Sequence, residues 1–143
     1  MLFTIGFAGK SEQQFWDLLA ASGVQKIIDI RLWRAARFVP WANEENLYSA
    51  AVAHKIFYAV MSELAPTKEL LNDYKNGAVL WMEYEQVFNK ILATRQVEKL
   101  FFGSDLENVC FLCTEKLPDY CHRRLVAEYL ARHFDNLEIQ NLV

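Results

Sequence analysis

The chain has 143 residues, a net charge of −3, 53% hydrophobic and 14% aromatic residues; this composition folds rather than stays disordered and suits one domain over residues 1–143. No apolar run reaches the roughly 18–20 residues that a bilayer crossing needs, and the acidic balance argues against broad, non-specific nucleic-acid binding. Three cysteines, an odd number, argue against a disulfide framework, and "MLFTIGFAGK" shows no leader pattern, so a cytoplasmic protein without a membrane partner is expected.

"LFTIG" is a short apolar, β-branched run ended by Gly6, which predicts a buried strand. In "SEQQFWDLLAASG" Ser11 is an N-cap with Gln14 placed for a capping box, Phe15, Trp16, Leu18 and Leu19 form one apolar side, and Gly23 sits where a C-terminal glycine belongs. "QKIIDIR" predicts a second strand, "NEENLYSAAVAHK" a helix and "IFYAVMSEL" a third strand. "TKELLNDYKNG" predicts a helix ending at Asn76-Gly77, and "WMEYEQVFNKILATRQVEKLFF" a longer one. "NVCFLC", "DYCHRRLVAEYLARHF" and "LEIQNLV" close the chain as strand, helix and strand. Strands alternating with helices imply a single-domain, three-layer α/β/α fold with a mainly parallel sheet of about five strands. In such sheets ligands bind beyond the strand carboxyl ends, which here carry Gly6, Asp29 and Arg31, Glu63, and Cys113 and Glu115.

The chemistry concentrates in "VCFLCTEKLPDYCHRR". Cys110 and Cys113 point to opposite faces of a strand; Cys110 reads as core, whereas Cys113 ends the strand and shares a face with Glu115. Asp119 after Pro118 is the expected N-cap, which puts Cys121, His122 and Arg123 in the first turn of the next helix. There the helix dipole favours anions and lowers a thiol's pKa, making Cys121 the leading nucleophile. His122 also shares the inward stripe of Leu125, Val126 and Tyr129, the place of a structural histidine. A metal site is not expected: the spacing matches no paired C-x-x-C, and adjacent Cys121 and His122 diverge by about 100° on a helix. No cofactor signature is present either: "TIGFAGKS" is neither G-x-x-x-x-G-K-[ST] nor G-x-G-x-x-G.

A second group is "DIRLWRAARFVPWANEENL", where Asp29 and Arg31 share a strand face and Arg34 and Arg37 follow among Trp33, Phe38 and Trp41. Arginine forks bind phosphate or carboxylate and indoles stack on bases, although Arg34 and Arg37 could instead pair with Glu44, Glu45 or Asp29.

Taken together, Thr4-Ile5-Gly6, Asp29-Ile30-Arg31, Leu112-Cys113 with Glu115, and Cys121-His122-Arg123 resemble the pattern of a bacterial and archaeal family, domain of unknown function 488. Its T-I-G, D-[VI]-R, L-x-C-x-E and C-H-R segments recur here in order. The chain departs from it at Phe7-Ala8-Gly9, in "LWRAAR" after the second strand, and at Leu64-Ala65-Pro66. The resemblance implies an α/β fold with a polar site at the strand ends and no stated reaction. The residues themselves point to an enzyme acting on a small anionic, phosphate- or nucleobase-containing substrate. In that scheme Cys121 or Cys113 is the nucleophile, Glu115 or Asp29 the acid or base, and Gly6, Arg31, Arg34, Arg37, His122 and Arg123 are the substrate-binding set. The alternatives are a nucleotide or nucleic-acid binding module using the arginine and tryptophan loop, and a Cys113/Cys121 redox pair.

Overall fold

Five strands form one sheet in the order β3-β2-β4-β1-β5, with every neighbouring pair parallel. They are β1 (Leu2–Gly6), β2 (Lys26–Asp29), β3 (Phe57–Val60), β4 (Val109–Cys113) and β5 (Ile139–Leu142) of a computed structural model that describes Met1–Val143. Parallel neighbours need crossovers, and five helices supply them: α1 (Glu12–Ser22), α2 (Glu44–Ala53), α3 (Lys68–Lys75), α4 (Trp81–Arg95) and α5 (His122–Ala131). The expected α/β class with a parallel five-stranded sheet is therefore observed.

Each sheet face has its own core. Phe15, Trp16 and Leu19 of α1 and Leu47 and Ala51 of α2 pack with Ile5, Ile27, Cys110 and Leu112. Tyr84, Phe88 and Leu92 of α4 and Leu125, Val126 and Leu130 of α5 pack with Ile28 and Phe111 on the opposite face. β4, at the centre, is buried along its whole length, which is why it reads as a continuous apolar run rather than an alternating one. Helix α1 carries both expected caps: Ser11 Oγ accepts from Gln14 N, Gln14 Oε1 accepts from Ser11 N, and Gly23 ends the helix at φ 75°.

Three boundaries differ from expectation. The long helix stops at Arg95, where Gln96 turns left-handed at φ 53° and a 3-10 turn, Val97–Leu100, follows. β3 ends at Val60, and Ser62–Leu64 is again a 3-10 turn. Helix α5 starts at His122, not after Asp119. The Cys121 N–H closes a turn onto the Pro118 carbonyl at 3.2 Å, and Cys121 itself is the extended N-cap, at φ −132° and ψ 139°.

The topology opens one crevice. From β2 the chain leaves through α2 toward β3, and from β4 it leaves through α5 toward β5, on the other side of the sheet. Adjacent strands whose connections depart in opposite directions part their following loops, and ligands bind in α/β sheets at such a switch point.

Candidate functional site

A cavity of about 170 Å³ occupies that crevice. Cys113, Thr114 and Glu115 reach it from the end of β4, Arg31, Leu32 and Trp33 from the end of β2, and Cys121 and His122 from the start of α5. Tyr74, Trp81, Tyr84 and Tyr120 complete its aromatic wall, with Lys75 beside them. A larger groove of about 470 Å³ between α2 and β3 is lined chiefly by apolar and aromatic side chains and offers no thiol, carboxylate or imidazole.

At the cavity's base three groups meet. The ligating atoms of Cys113, Cys121 and His122 lie within 4.8 Å of one another, and all three side chains are buried. His122 Nε2 stands 2.7 Å from the Ile30 carbonyl, and Nδ1 stands 3.4 Å from Cys113 Sγ. A carbonyl only accepts, so Nε2 carries the hydrogen and Nδ1 does not need one. The Cys113 sulfur, 3.4 Å from Nδ1 and 3.9 Å from Nε2, sits beside the ring and not on the Nδ1 lone-pair axis. Phe88 meets the imidazole edge to face at 5.7 Å and helps hold its plane. The sequence expectation that Cys121 and His122 diverge assumed that both were helical. Because Cys121 is extended, their side chains converge instead.

The two thiols are electrostatically unequal. A hydrogen bond from Cys121 holds the Cys113 thiol below the ordinary cysteine value against the effect of burial, helped by the Thr114 N–H and the Arg123 charge. Burial and the same bond to Cys113 push the Cys121 thiol well up. The two directions favour Cys113, the thiol at the strand end, as the more readily ionised of the pair, where the sequence singled out Cys121. Cys110, on the opposite sheet face, is fully buried, and burial raises its thiol.

The charged candidates divide into cavity and framework. Asp29 is fully buried and accepts from Arg31 Nε at 2.9 Å, Arg31 Nη2 at 2.7 Å and Tyr58 Oη at 2.5 Å. Burial opposes the Arg31 charge, but this bidentate bond to Asp29 outweighs it and raises the guanidinium's pKa further. Arg31 still lines the cavity, whereas Asp29 does not. Arg123 is fully buried and donates to the Glu115 and Lys116 carbonyls and to Thr4 Oγ1, so its fork ties the β4–α5 loop to β1. Gly6 lies under the same loop, and a Cβ there would overlap the Glu115 carbonyl outright. Arg34 pairs with Glu44 at 3.0 Å and Arg37 lies over the Phe38 ring; neither lines the cavity, nor does Glu63.

Several contributors escaped the sequence reading. Trp81 and Tyr84, three residues apart at the start of α4, carried only the signal of an apolar helix stripe. Tyr120 and Lys75 had no signal beyond their residue types. In the fold Trp81 stacks on Tyr84 at 4.9 Å and meets Tyr120 edge to face at 5.7 Å, while Lys75 Nζ sits 4.9 Å from the Trp33 ring centre.

No curated protein and no solved structure matches the chain. Residues 11–130 match the family described as Domain of unknown function DUF488. That match takes in β2, β4 and nearly all of α5, the elements that build the crevice, and the chain belongs to this family.

Proposed function

We propose that the protein is a cysteine-dependent enzyme acting on a small anionic substrate that carries a flat ring. The observation that carries this is Cys113 Sγ 3.4 Å from His122 Nδ1 at the base of the switch-point cavity. In the proposed step Nδ1 takes the Cys113 proton, the sulfur bonds to the substrate's electrophilic carbon or phosphorus, and the leaving group departs with the proton from the imidazolium. Water then cleaves the enzyme–substrate bond and restores the thiol. Glu115, facing the cavity and exposed, is the acid–base group proposed for the water step. Asp29, committed to Arg31 and Tyr58, is not.

The ring is inferred from the wall of Trp33, Trp81, Tyr84 and Tyr120, and the negative charge from Lys75 beside it, since Asp29 already neutralises Arg31. Size narrows the class. At about 170 Å³ the cavity falls short of the roughly 300–1,000 Å³ that encloses a drug-sized ligand, so it suits one ring and its reacting group. A nucleic-acid module is less well supported, because Arg34 is neutralised by Glu44. A Cys113/Cys121 redox couple draws on the same approach of the sulfurs and is the second reading.

The test is a panel of aryl and nucleotide esters, thioesters and phosphoesters, run on metal-free, reduced protein. Turnover by the wild type should vanish in Cys113→Ser and survive in Cys121→Ser, which can still donate a hydrogen bond but cannot form a disulfide. Iodoacetamide should label Cys113 before Cys110 and Cys121. Full turnover by Cys113→Ser would sink the proposal, and loss only in the absence of both thiols' pairing would favour the redox reading.

A further inference from the structure

We infer that Cys113, Cys121 and His122 form a binding site for one zinc ion, with the fourth coordination position open to the cavity. Zinc takes thiolate sulfur at about 2.3 Å and imidazole nitrogen at about 2.0–2.1 Å in a tetrahedron, so a ligating sulfur and nitrogen must sit about 3.5 Å apart and two sulfurs about 3.8 Å apart. Cys113 Sγ and His122 Nδ1 are 3.4 Å apart, and all three donor atoms lie within 4.8 Å of one another. The sulfur–nitrogen edge has the length of a coordinated pair, but the sulfur sits beside the ring, 3.9 Å from Nε2 as well, so forming the site needs the cysteine side chains to rotate toward the Nδ1 lone pair.

The surroundings fit a metal as well as the three donors do. Metal-binding histidines almost always donate their other ring N–H to a carbonyl or carboxylate, which fixes the free nitrogen on the ion. Here the Ile30 carbonyl accepts from Nε2 at 2.7 Å and leaves Nδ1 as the nitrogen without a hydrogen. All three donors are buried, and two thiolates with a neutral imidazole cancel the charge of Zn²⁺, so the loaded site places no net charge in the interior. Each Zn–S bond replaces an S–H bond, and both protons leave to solvent. Two soft sulfurs and one imidazole select zinc over magnesium or calcium, whose ligands are oxygens. Three protein ligands and one open position is the arrangement of a site that exchanges its fourth ligand, not of a closed structural one.

The consequence for catalysis rests on the proposed nucleophile: a sulfur bonded to zinc is not free to attack, so the ion holds the thiol chemistry off until it leaves. The binding itself does not depend on that reading.

The experiment uses the full chain, reduced and stripped by a chelator, titrated with Zn²⁺ against a chromophoric zinc indicator and, separately, with Co²⁺. One zinc per chain and an intense visible cobalt spectrum with sulfur charge-transfer bands are expected. Cys113→Ala, Cys121→Ala and His122→Phe should each cost more than the roughly 10–100-fold in affinity lost with an outer-shell partner, and Cys110→Ala should bind as the wild type does. No stoichiometric zinc, a pale six-coordinate cobalt spectrum, or unchanged affinity in all three variants would overturn the inference; the cobalt spectrum of the wild type decides even if a variant fails to fold. Alkylation then separates the two proposals. With zinc at a hundred times its Kd the free site falls about 100-fold, and labelling of Cys113 should slow accordingly. Zinc bound to a protein whose metal-free Cys113 is inert would uphold the site and remove the nucleophile.

Discussion

At Gly6 the backbone of β1 runs against the carbonyl of Glu115, and the approach is too close for any side chain. Three neighbours hold the contact in place. Arg123 grips the Glu115 carbonyl from below, the Ala8 N–H donates to Thr114 O at 3.0 Å, and Lys10 Nζ donates to Gly6 O at 2.8 Å. Burial, then the Arg123 and Lys116 charges, lowers the Lys10 pKa, so this ammonium is kept for its hydrogen bond at some cost to its charge. Gly6 therefore acts on the site indirectly, through the height at which the loop carries Glu115 over the cavity. Gly6→Ala must push backbone against backbone, where no rotamer can relieve the overlap, and should cost about 3 kcal/mol or more, the upper range for overpacking. Urea unfolding monitored by circular dichroism measures it. A variant within about 0.5 kcal/mol of wild type, the spread of a neutral surface change, would mean that the loop moves freely and is not held down by Arg123.

At the scale of elements, α1 and α5 show where sequence signals work and where they fail. Helix α1 announces both ends through Ser11, Gln14 and Gly23, each a residue whose side chain or lack of one performs the cap. Helix α5 begins at a cysteine with no side-chain cap bond, because the turn Pro118–Cys121 uses up the residues that would have capped it. The start was therefore placed two residues early, and the convergence of Cys121 with His122 was missed with it. The far side of α5 is tied to the 3-10 turn Val97–Leu100 by Tyr129 Oη, which donates to Glu98 Oε2 at 2.7 Å. This bond, first among its causes, lowers the Glu98 pKa from its usual 4.5. A carboxyl depressed by folding adds stability above its unfolded pKa and loses it as pH falls through the folded one. Tyr129→Phe should thus be less stable than wild type by about 0.2–1 kcal/mol near neutral pH, the range for a partly exposed polar pair, and the gap should close below pH 4.5. At the alkaline end the tyrosine reverses the sign. Burial, then Glu98, pushes its pKa up to about 12, so the wild type alone loses stability as pH climbs toward that value. A stability difference that stays constant from pH 3 to 8 would show that the bond does not favour the ionised Glu98 carboxylate.

For the whole molecule, alternating strands and helices were enough to deduce the parallel sheet, and the sheet was enough to bring the strand ends to one edge. The composition of the cavity wall was less legible. Trp81 and Tyr84 look the same in sequence whether they face a core or a cavity, since both are apolar positions on a helix stripe, and only the placement of the start of α4 beside the switch-point cavity separates the two. The same sheet makes a mechanical claim. Its faces carry separate cores, with Trp16 fully packed on the α1 side and Trp81 packed against the core on the α4 side. The central strand β4 contributes Cys110 and Leu112 to one core and Phe111 to the other. Neither face can lose its packing without exposing the back of a strand that the other needs, so both should unfold in one cooperative step. Chains that keep only Trp16 or only Trp81, with the other three tryptophans replaced by phenylalanine, report on each face alone. Expressed as the urea midpoint of each chain's fluorescence relative to its own circular dichroism midpoint, the two reporters should coincide. A Trp81 transition that comes earlier than the backbone signal would mean that the α3–α4 face opens by itself, and the wall of the cavity would then be a separately folding unit laid over a preformed sheet.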